Sequence, residues 1–272
     1  MNFLSKLILV VITLLVTTVT TISIKLYDLI NCHAILNNKI DKVNNKISLI
    51  SIKSETQKIS LEQKNECFGI DVSHWNGNIV SEIPDKDNIS FIICKATQGN
   101  KSVDSDFKVN WIEIKKLNKI RGAYHFYIYG DDPLVQANHF CEVVNNLEQG
   151  DMSLILDIEE LSLPKTDINV VKLRNDVTKF LEIVELKIHK KPIIYTDYSF
   201  ASKYLNDVKF SKYPLWLAEY SNIKTPTIPV VWRKTGCMIW QKKDNYNINS
   251  TKEDYDVFFG KKEELLALGT SN

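Results

Sequence analysis

The sequence lacks the excess of one charge that proteins acting on nucleic acids usually carry. Its 34 Lys and Arg residues nearly balance 33 Asp and Glu residues, so the formal net charge is +1. No long basic block occurs along the chain either. The composition therefore gives no reason to expect a nucleic-acid partner.

The common motifs of metal and cofactor binding are also missing. The five cysteines have no metal-ligand spacing, and the five histidines form neither H-x-H nor H-E-x-x-H. No Gly-rich dinucleotide fingerprint, phosphate-binding loop or G-x-S-x-G elbow occurs in the sequence. We therefore expect neither a metal nor a cofactor, and no serine nucleophile of the elbow type.

A long apolar run is present near the amino terminus. Residues 7–24 contain only aliphatic residues, Thr and Ser, and Lys25 ends the run. A membrane-spanning helix needs roughly 17 to 20 such residues, and no small-x-small cleavage site follows. Residues 1–25 therefore predict a signal anchor that contacts the membrane through residues 7–24. The protein would then be a single-pass membrane protein with its remainder on the extracytoplasmic side; secretion after signal cleavage is the alternative.

Residues 26–66 predict a helical stalk with a narrow apolar seam. The surrounding residues are mostly polar, and neither Pro nor Gly interrupts the segment. The seam residues recur at alternating steps of three and four: Leu26, Leu29, Leu36, Ile40, Val43, Ile47, Ile50 and Leu61. This pattern is typical of a coiled coil, which would join copies of the chain into a homo-oligomer. A partly helical linker is the alternative, because polar residues interrupt the seam.

Residues 67–262 alternate between short apolar runs and helical patterns. The apolar runs are Gly69–Val72, Phe91–Ala96, Gly122–Tyr127, Leu154–Ile158, Ile193–Thr196, Leu215–Tyr220 and Met238–Gln241. Alternation of this kind favours a parallel α/β sheet. Because a full eight-stranded barrel typically takes about 250 residues, this shorter segment predicts a trimmed, irregular barrel. Residues 263–272 are expected to form a C-terminal tail.

Two acidic residues follow the apolar run that begins at Leu154. Asp157 and Glu159 are two residues apart, so on a strand they point to the same side. Two carboxylates held this close raise the pKa of one of them. One acid can then donate a proton while its neighbour stays charged. A solvated acidic strand end is the alternative interpretation.

Further acidic and aromatic residues stand near other strand ends. In a barrel, catalytic groups gather at the carboxyl ends of several strands, so we expect Asp71 and Asp256 to converge with Asp157 and Glu159. Aromatic residues flank these acids: Trp75, Tyr124, Tyr195, Trp216, Tyr220, Trp240 and Tyr255. An acidic cleft walled by aromatic rings suits a sugar polymer. The expected substrate-binding residues are Tyr124, Tyr195, Trp216, Tyr220 and Trp240.

These motifs together resemble a known enzyme family. In chain order they read GIDVSHWNG from Gly69, KATQG, GAYHFY, LDIE, IYT, LWLAEY, WQ and DYDVF, and they cover about residues 68–260. The chain resembles glycoside hydrolase family 25, the Chalaropsis-type lysozymes, which are N-acetylmuramidases. It differs at Asn76, where the family often has Gln, and at Gln98, where it often has Glu.

The resemblance implies an α/β fold, an irregular TIM-like barrel of eight strands and about five helices, here preceded by a transmembrane helix and a stalk. It implies hydrolysis of β-1,4 bonds between N-acetylmuramic acid and N-acetylglucosamine in bacterial peptidoglycan. Glu159 matches the family's proton donor, and Asp157 matches its partner. Asp71 and Asp256 match the remaining acids, and Tyr124 matches the tyrosine of the cleft. A non-catalytic glycan-binding receptor displayed on a membrane stalk is the alternative, and a stalk-assembled structural protein is a further one.

Overall fold

The structure is a computed structural model that describes residues 3–63, 66–84, 88–145, 147–220, 223–248 and 251–268. The chain divides after Gln63 into two compact units. We describe each unit separately.

The first unit is one uninterrupted helix, α1, which spans Phe3–Gln63 and has 61 residues. Within it, Thr13–Ser51 includes a stretch that is long and apolar enough to cross a membrane. Large apolar side chains along α1, from Leu14 to Ile50, are exposed. Because most helices in water are stabilised by packing an apolar face, these side chains indicate an apolar environment or a partner for α1. Residues 26–63 are helical throughout, whereas pairing as a coiled coil stays a prediction.

The second unit is built around a closed barrel. Its strands are β1 Glu66–Val72, β2 Ile89–Gln98, β3 Ser102–Val103, β4 Ile120–Phe126, β5 Ile155–Asp157, β6 Ile193–Asp197, β7 Leu215–Ala218, β8 Ile239–Ile248 and β9 Thr251–Phe259. The sheet order is β1-β9-β8-β7-β6-β5-β4-β2-β3, and β1 also pairs with β2. The two-residue β3 pairs with β2 at one end, so the other eight strands close the barrel. The prediction of an irregular TIM-like barrel is confirmed.

The last strand makes the barrel irregular. Seven strands of the barrel run parallel to one another, namely β1, β2, β4, β5, β6, β7 and β8. In contrast, β9 runs antiparallel to both β8 and β1. The beginning of β9 therefore lies at the same rim of the barrel as the carboxyl ends of the parallel strands.

Six helices accompany the strands in the described part of the second unit. They are α2 Ile79–Glu82, α3 Phe107–Lys116, α4 Pro133–Val143, α5 Val170–Ile188, α6 Tyr198–Tyr204 and α7 Lys262–Leu268. The sequence predicted about five helices; α2 is a single turn, and α7 lies largely in the predicted tail, where it buries Leu265. Between β7 and β8 the described residues contain only a 3₁₀ turn.

Helix α5 shows how these helices are fixed to the barrel. Asn169 begins it by accepting a hydrogen bond from the Lys172 backbone N–H at 3.0 Å. Leu173, Val177 and Phe180 recur at helical spacing and are fully buried. Burial of each such side chain contributes about 1.5–3 kcal/mol.

The interior of the barrel is filled by one side of each strand. Ile155 on β5, Ile193 on β6 and Ile239 on β8 belong to one buried cluster. Gly69 on β1 makes room for the Phe91 ring, because a Cβ at residue 69 would lie 2.3 Å from it. Because side chains alternate along a strand, the residues two positions after these also point into the barrel, nearer its rim.

Candidate active site

Acids from three strands meet in one cavity at the carboxyl ends of the parallel strands. The cavity has a volume of about 290 Å³ and is lined by Asp71, Asp157, Glu159 and Asp254 among others. The remaining lining residues are Ser73, Trp75, Lys95, Tyr124, Phe126, Tyr195, Trp216, Tyr220 and Gln241. Three larger depressions elsewhere, of about 520, 460 and 400 Å³, are lined by at most one glutamate each. The converging acids therefore single out the smaller cavity.

The local backbone places Asp157 and Glu159 side by side. Asp157 ends β5, and Ile158 continues the extended chain by donating its N–H to the Tyr195 carbonyl at 3.0 Å. Glu159 is extended as well, and its N–H donates to Ser162 Oγ at 3.2 Å. Ile158, between the two acids, is fully buried on the other side. Alternation along the chain therefore brings both carboxyl groups to the cavity.

Burial raises the pKa of both carboxyl groups in this acidic pair. Burial, followed by the charge of Glu159, raises the pKa of Asp157 well above its usual range, and Lys95 opposes the rise. Burial and the charge of Asp197 likewise raise the pKa of Glu159, again opposed by Lys95. The pair therefore retains a proton to higher pH than isolated carboxyl groups would. In the described part of the chain, Asp157 Oδ1 is buried without a hydrogen-bond partner.

A second group of acids comes from β1 and β9. Their antiparallel register places Asp71 opposite Asp254, and Gly69 opposite Asp256. Asp256 is fully buried below the cavity, where its Oδ1 accepts a hydrogen bond from Trp216 Nε1 at 2.8 Å. Burial raises the pKa of both Asp71 and Asp256 well above its usual range, and the charge of Asp254 raises each of them further.

Gln241 connects this second group to two tyrosines. Its Nε2 donates to Asp71 Oδ2 at 2.6 Å. Its Oε1 accepts hydrogen bonds from Tyr195 at 2.7 Å and from Tyr220 at 2.5 Å. Because both hydroxyl groups donate to the same oxygen, they fix which end of the amide faces Asp71. Asp71 is therefore held as a hydrogen-bond acceptor.

Lys95 supplies the cation among the described residues that line the cavity. Its Nζ donates to Gln98 Oε1 at 2.8 Å and lies 4.8 Å from the centre of the Phe126 ring. Burial lowers the pKa of Lys95, and the charges of Asp157 and nearby acids oppose this. Because Gln98 is neutral, the charge of Lys95 is balanced by the acids of the cavity and not by its hydrogen-bond partner.

Most of the residues predicted to bind substrate line the cavity: Tyr124, Tyr195, Trp216 and Tyr220. Trp240 does not. Gln241, the next residue on β8, points into the barrel, so alternation turns Trp240 to the outer side. There its Nε1 donates to the Glu219 carbonyl at 2.9 Å, and its ring stacks on Phe259. Trp240 is therefore corrected from a substrate contact to a buried packing residue.

The cavity residues missed as site residues include three with charged or amide side chains: Lys95, Gln241 and Asp254. The first is a charged residue in an otherwise apolar strand run, two positions after Ile93, which is a signal the sequence did contain. Gln241 occupies the next inward position after Ile239.

Among the described residues, no group of His, Cys, Asp and Glu side chains is arranged to hold a metal ion.

Comparison with known proteins gives concordant matches. Residues 70–251 match a family model described as Glycosyl hydrolases family 25. Protein YegX of Escherichia coli (strain K12) is 34% identical over 206 residues, which cover 73% of this chain and 72% of YegX. Lysozyme M1 of Streptomyces globisporus is 26% identical over 215 residues, covering 75% of this chain and 71% of its own. A crystal structure of the bacterial lysozyme from Streptomyces coelicolor has a TM-score of 0.68 at 26% identity, covering 75% and 96% of the two chains.

Proposed function

Because this chain belongs to the glycosyl hydrolases of family 25, we propose that it is a muramidase that cleaves bacterial peptidoglycan. The bond cleaved is the β-1,4 bond between N-acetylmuramic acid and N-acetylglucosamine. The observation that carries the proposal is the position of Asp157 and Glu159 side by side in a cavity lined with aromatic rings, where burial raises the pKa of both.

Glu159 is the general acid in this proposal. Its carboxyl group is less deeply buried than that of Asp157, and its raised pKa favours the protonated form that a general acid needs. It donates this proton to the bridging oxygen as the bond from that oxygen to the anomeric carbon of N-acetylmuramic acid breaks. Water then supplies the hydroxyl group on the anomeric carbon, and its remaining proton returns to Glu159. The products are two shorter glycan strands, one with a new reducing end.

Asp157 is the neighbouring carboxyl group that orients the substrate in this proposal. Its buried Oδ1, which has no partner among the described residues, is suited to accept the N–H of the substrate's acetamido group. Asp71 faces the cavity as an acceptor and is the acid placed to polarise water or a substrate hydroxyl group. Asp256 lies below the cavity and accepts a hydrogen bond from Trp216, which lines the cavity, so we assign it a positioning role.

We also infer that α1 anchors the enzyme in a membrane through residues 7–24 and that the barrel acts on the extracytoplasmic side. The apolar stretch of α1 and its exposed side chains support the anchor. The family's cell-wall substrate supports the location.

We further infer that the stalk pairs with that of a second copy of the chain. The exposed apolar residues of its seam, such as Leu36 and Ile40, would form the contact. Chemical crosslinking of the full chain in membranes tests this pairing, which a purely monomeric product would refute.

The test of the activity is release of reducing ends from purified peptidoglycan by the full chain in detergent micelles. We expect Glu159→Gln to abolish release, because an amide cannot donate the required proton. Glu160→Gln is the matched control, since Glu160 is exposed and its substitution removes the same charge one residue away. Binding of glycan without release by the unmodified protein would instead identify a receptor.

A further inference from the structure

A short turn after β1 carries an exposed tryptophan, Trp75, at the rim of the cavity. The 3₁₀ turn His74–Asn76 follows directly on Ser73. Trp75, in the middle of the turn, lines the cavity and is 85% exposed. It has the largest exposed fraction among the large apolar side chains in the part of the chain that the structure describes. The barrel core therefore does not need this side chain for packing.

The backbone of the turn is nevertheless held at three points. Ser73 N–H donates to Asn76 Oδ1 at 2.7 Å, which closes the turn on itself. Asn76 Nδ2 donates to Glu253 Oε2 on β9 at 2.5 Å, and Glu253 is buried. His74 Nδ1 lies 2.6 Å from Asp104 Oδ2, whose side chain is 0% exposed. Two buried acids thus fix a turn that carries an exposed side chain.

The His74 side chain also contacts the indole ring of Trp75. The His74 ring, oriented by Asp104, lies with its centroid 4.5 Å from that of Trp75 at an interplanar angle of 39°. The histidine braces the indole from one side, and most of the indole surface faces solvent. A braced aromatic ring loses little conformational entropy when a ligand stacks on it. Its π-face attracts the C–H groups on the face of a pyranose ring.

Trp75 and Glu159 reach the cavity from different strands. Around the barrel, β1 is followed by β2, β4 and then β5, which leads to Glu159. Three steps between neighbouring strands amount to about 14 Å. This length along the barrel wall places a sugar stacked on Trp75 on the β1 side of the cavity, away from Glu159 after β5.

We propose that Trp75 forms a separate saccharide subsite, on which an N-acetylated hexosamine ring of a β-1,4-linked glycan stacks. The proposal rests on the proposed function only for the identity of the glycan as peptidoglycan. The subsite lengthens the part of the strand that the enzyme holds. It therefore favours long glycan strands over fragments that reach only the sugars beside the scissile bond.

The kinetic test compares long glycan strands with short fragments for the full chain and its variants. For Trp75→Ala we expect KM on long strands to rise about three- to ten-fold, the range for loss of one aromatic contact, while kcat stays unchanged. On short fragments neither constant should change. Trp75→Phe should restore most of the affinity for long strands. Val208→Ala, at an exposed apolar residue that does not line the cavity, is the matched control and should change nothing.

A fluorescence test needs no activity. Among the remaining tryptophans, Trp216, Trp232 and Trp240 are buried and Trp111 is partly buried, so iodide should quench mainly Trp75. A β-1,4-linked N-acetylglucosamine hexamer should protect this emission in the unmodified protein and not in Trp75→Phe.

The two tests separate this subsite from the activity itself. Protection of Trp75 in a protein that releases no reducing ends would refute the muramidase and leave the subsite standing. An active enzyme without protection, with KM on long strands unchanged in Trp75→Ala, would overturn the subsite. Equal losses on long and short substrates would overturn it too, because Trp75 would then bind the sugars at the scissile bond.

Discussion

Replacement of Gln241 by Leu removes the only amide that donates to Asp71 among the described residues, at nearly constant side-chain volume. A hydrogen bond to a charged group contributes about 1.5–3 kcal/mol. Because this bond stabilises the ionised form of Asp71, its loss favours protonation by roughly one to two pH units. If Asp71 must be ionised for catalysis, the acidic limb of the pH profile of kcat/KM should move to higher pH by about that amount.

The direction of this shift follows from the groups around Asp71. Burial and the charges of Asp254 and Asp256 on β9, and of Asp157 on β5, already raise its pKa, and Gln241 opposes them. Tyr124 and Tyr195 face the same region as neutral hydroxyl groups, since burial raises the pKa of each well above its usual range. Lys95 is the cation lining the same cavity. Loss of the amide removes the hydrogen bond that opposes these effects, so the pKa of Asp71 rises.

The assay is kcat/KM on purified peptidoglycan across acid and neutral pH, with the full chain. Damage to packing would lower activity at every pH without moving the limb. The double variant Tyr195→Phe, Tyr220→Phe frees the amide to turn and should shift the limb in the same direction. Gln149→Leu, the same exchange at an exposed turn residue, is the control. A folded Gln241→Leu enzyme whose acidic limb stays in place would refute the reasoning.

Three further predictions follow from other contacts. Lys95→Met should move both limbs of the pH profile to higher pH, because the Lys95 cation lowers the pKa of Asp157 and of Glu159. Arg121→Met should reduce the free energy of unfolding by about 3–5 kcal/mol in denaturant titrations, since it leaves buried Asp151 without the Arg121 Nε contact at 2.7 Å. Gly69→Ala should destabilise the barrel by about 1–3 kcal/mol, because its Cβ would overlap the Phe91 ring.

Each of these has its own check. Lys95→Arg keeps the cation, so unchanged limbs are expected there, and limbs unchanged in Lys95→Met would contradict the electrostatic role. For Arg121→Met, the contradicting result is a denaturation midpoint equal to that of the unmodified protein. Combining Gly69→Ala with Phe91→Leu should recover stability, and no recovery would show that the steric conflict lies elsewhere.

The acidic pair was predictable because its geometry is local. The two-residue spacing of Asp157 and Glu159 depends only on an extended backbone, and the structure has that backbone at both residues. The parallel barrel was predictable for a similar reason, since alternating apolar runs and helical patterns can be read along the chain. The antiparallel course of β9 was not, because it depends on pairing with β1, whose sequence lies far away.

The errors in the site have a common physical origin. On a strand, a shift of one residue exchanges the inner and outer sides, and the sequence alone did not decide which of Trp240 and Gln241 faces inward. Asp254 reaches the cavity only through the register that places it opposite Asp71. Contacts of this kind form between distant parts of the chain, so no local pattern reports them.

The position of β9 has a consequence for biosynthesis. Strand β9 both closes the barrel against β1 and brings Asp254 and Asp256 to the reaction centre. One contact that completes this closure, from Cys67 Sγ to the Gly260 carbonyl, joins residues 193 positions apart. Because a chain is made from its amino terminus, a nascent chain that ends before β9 has an open barrel and an incomplete set of acids. The catalytic centre is therefore assembled only when synthesis of the barrel is nearly finished, which keeps unfinished chains from cutting glycan.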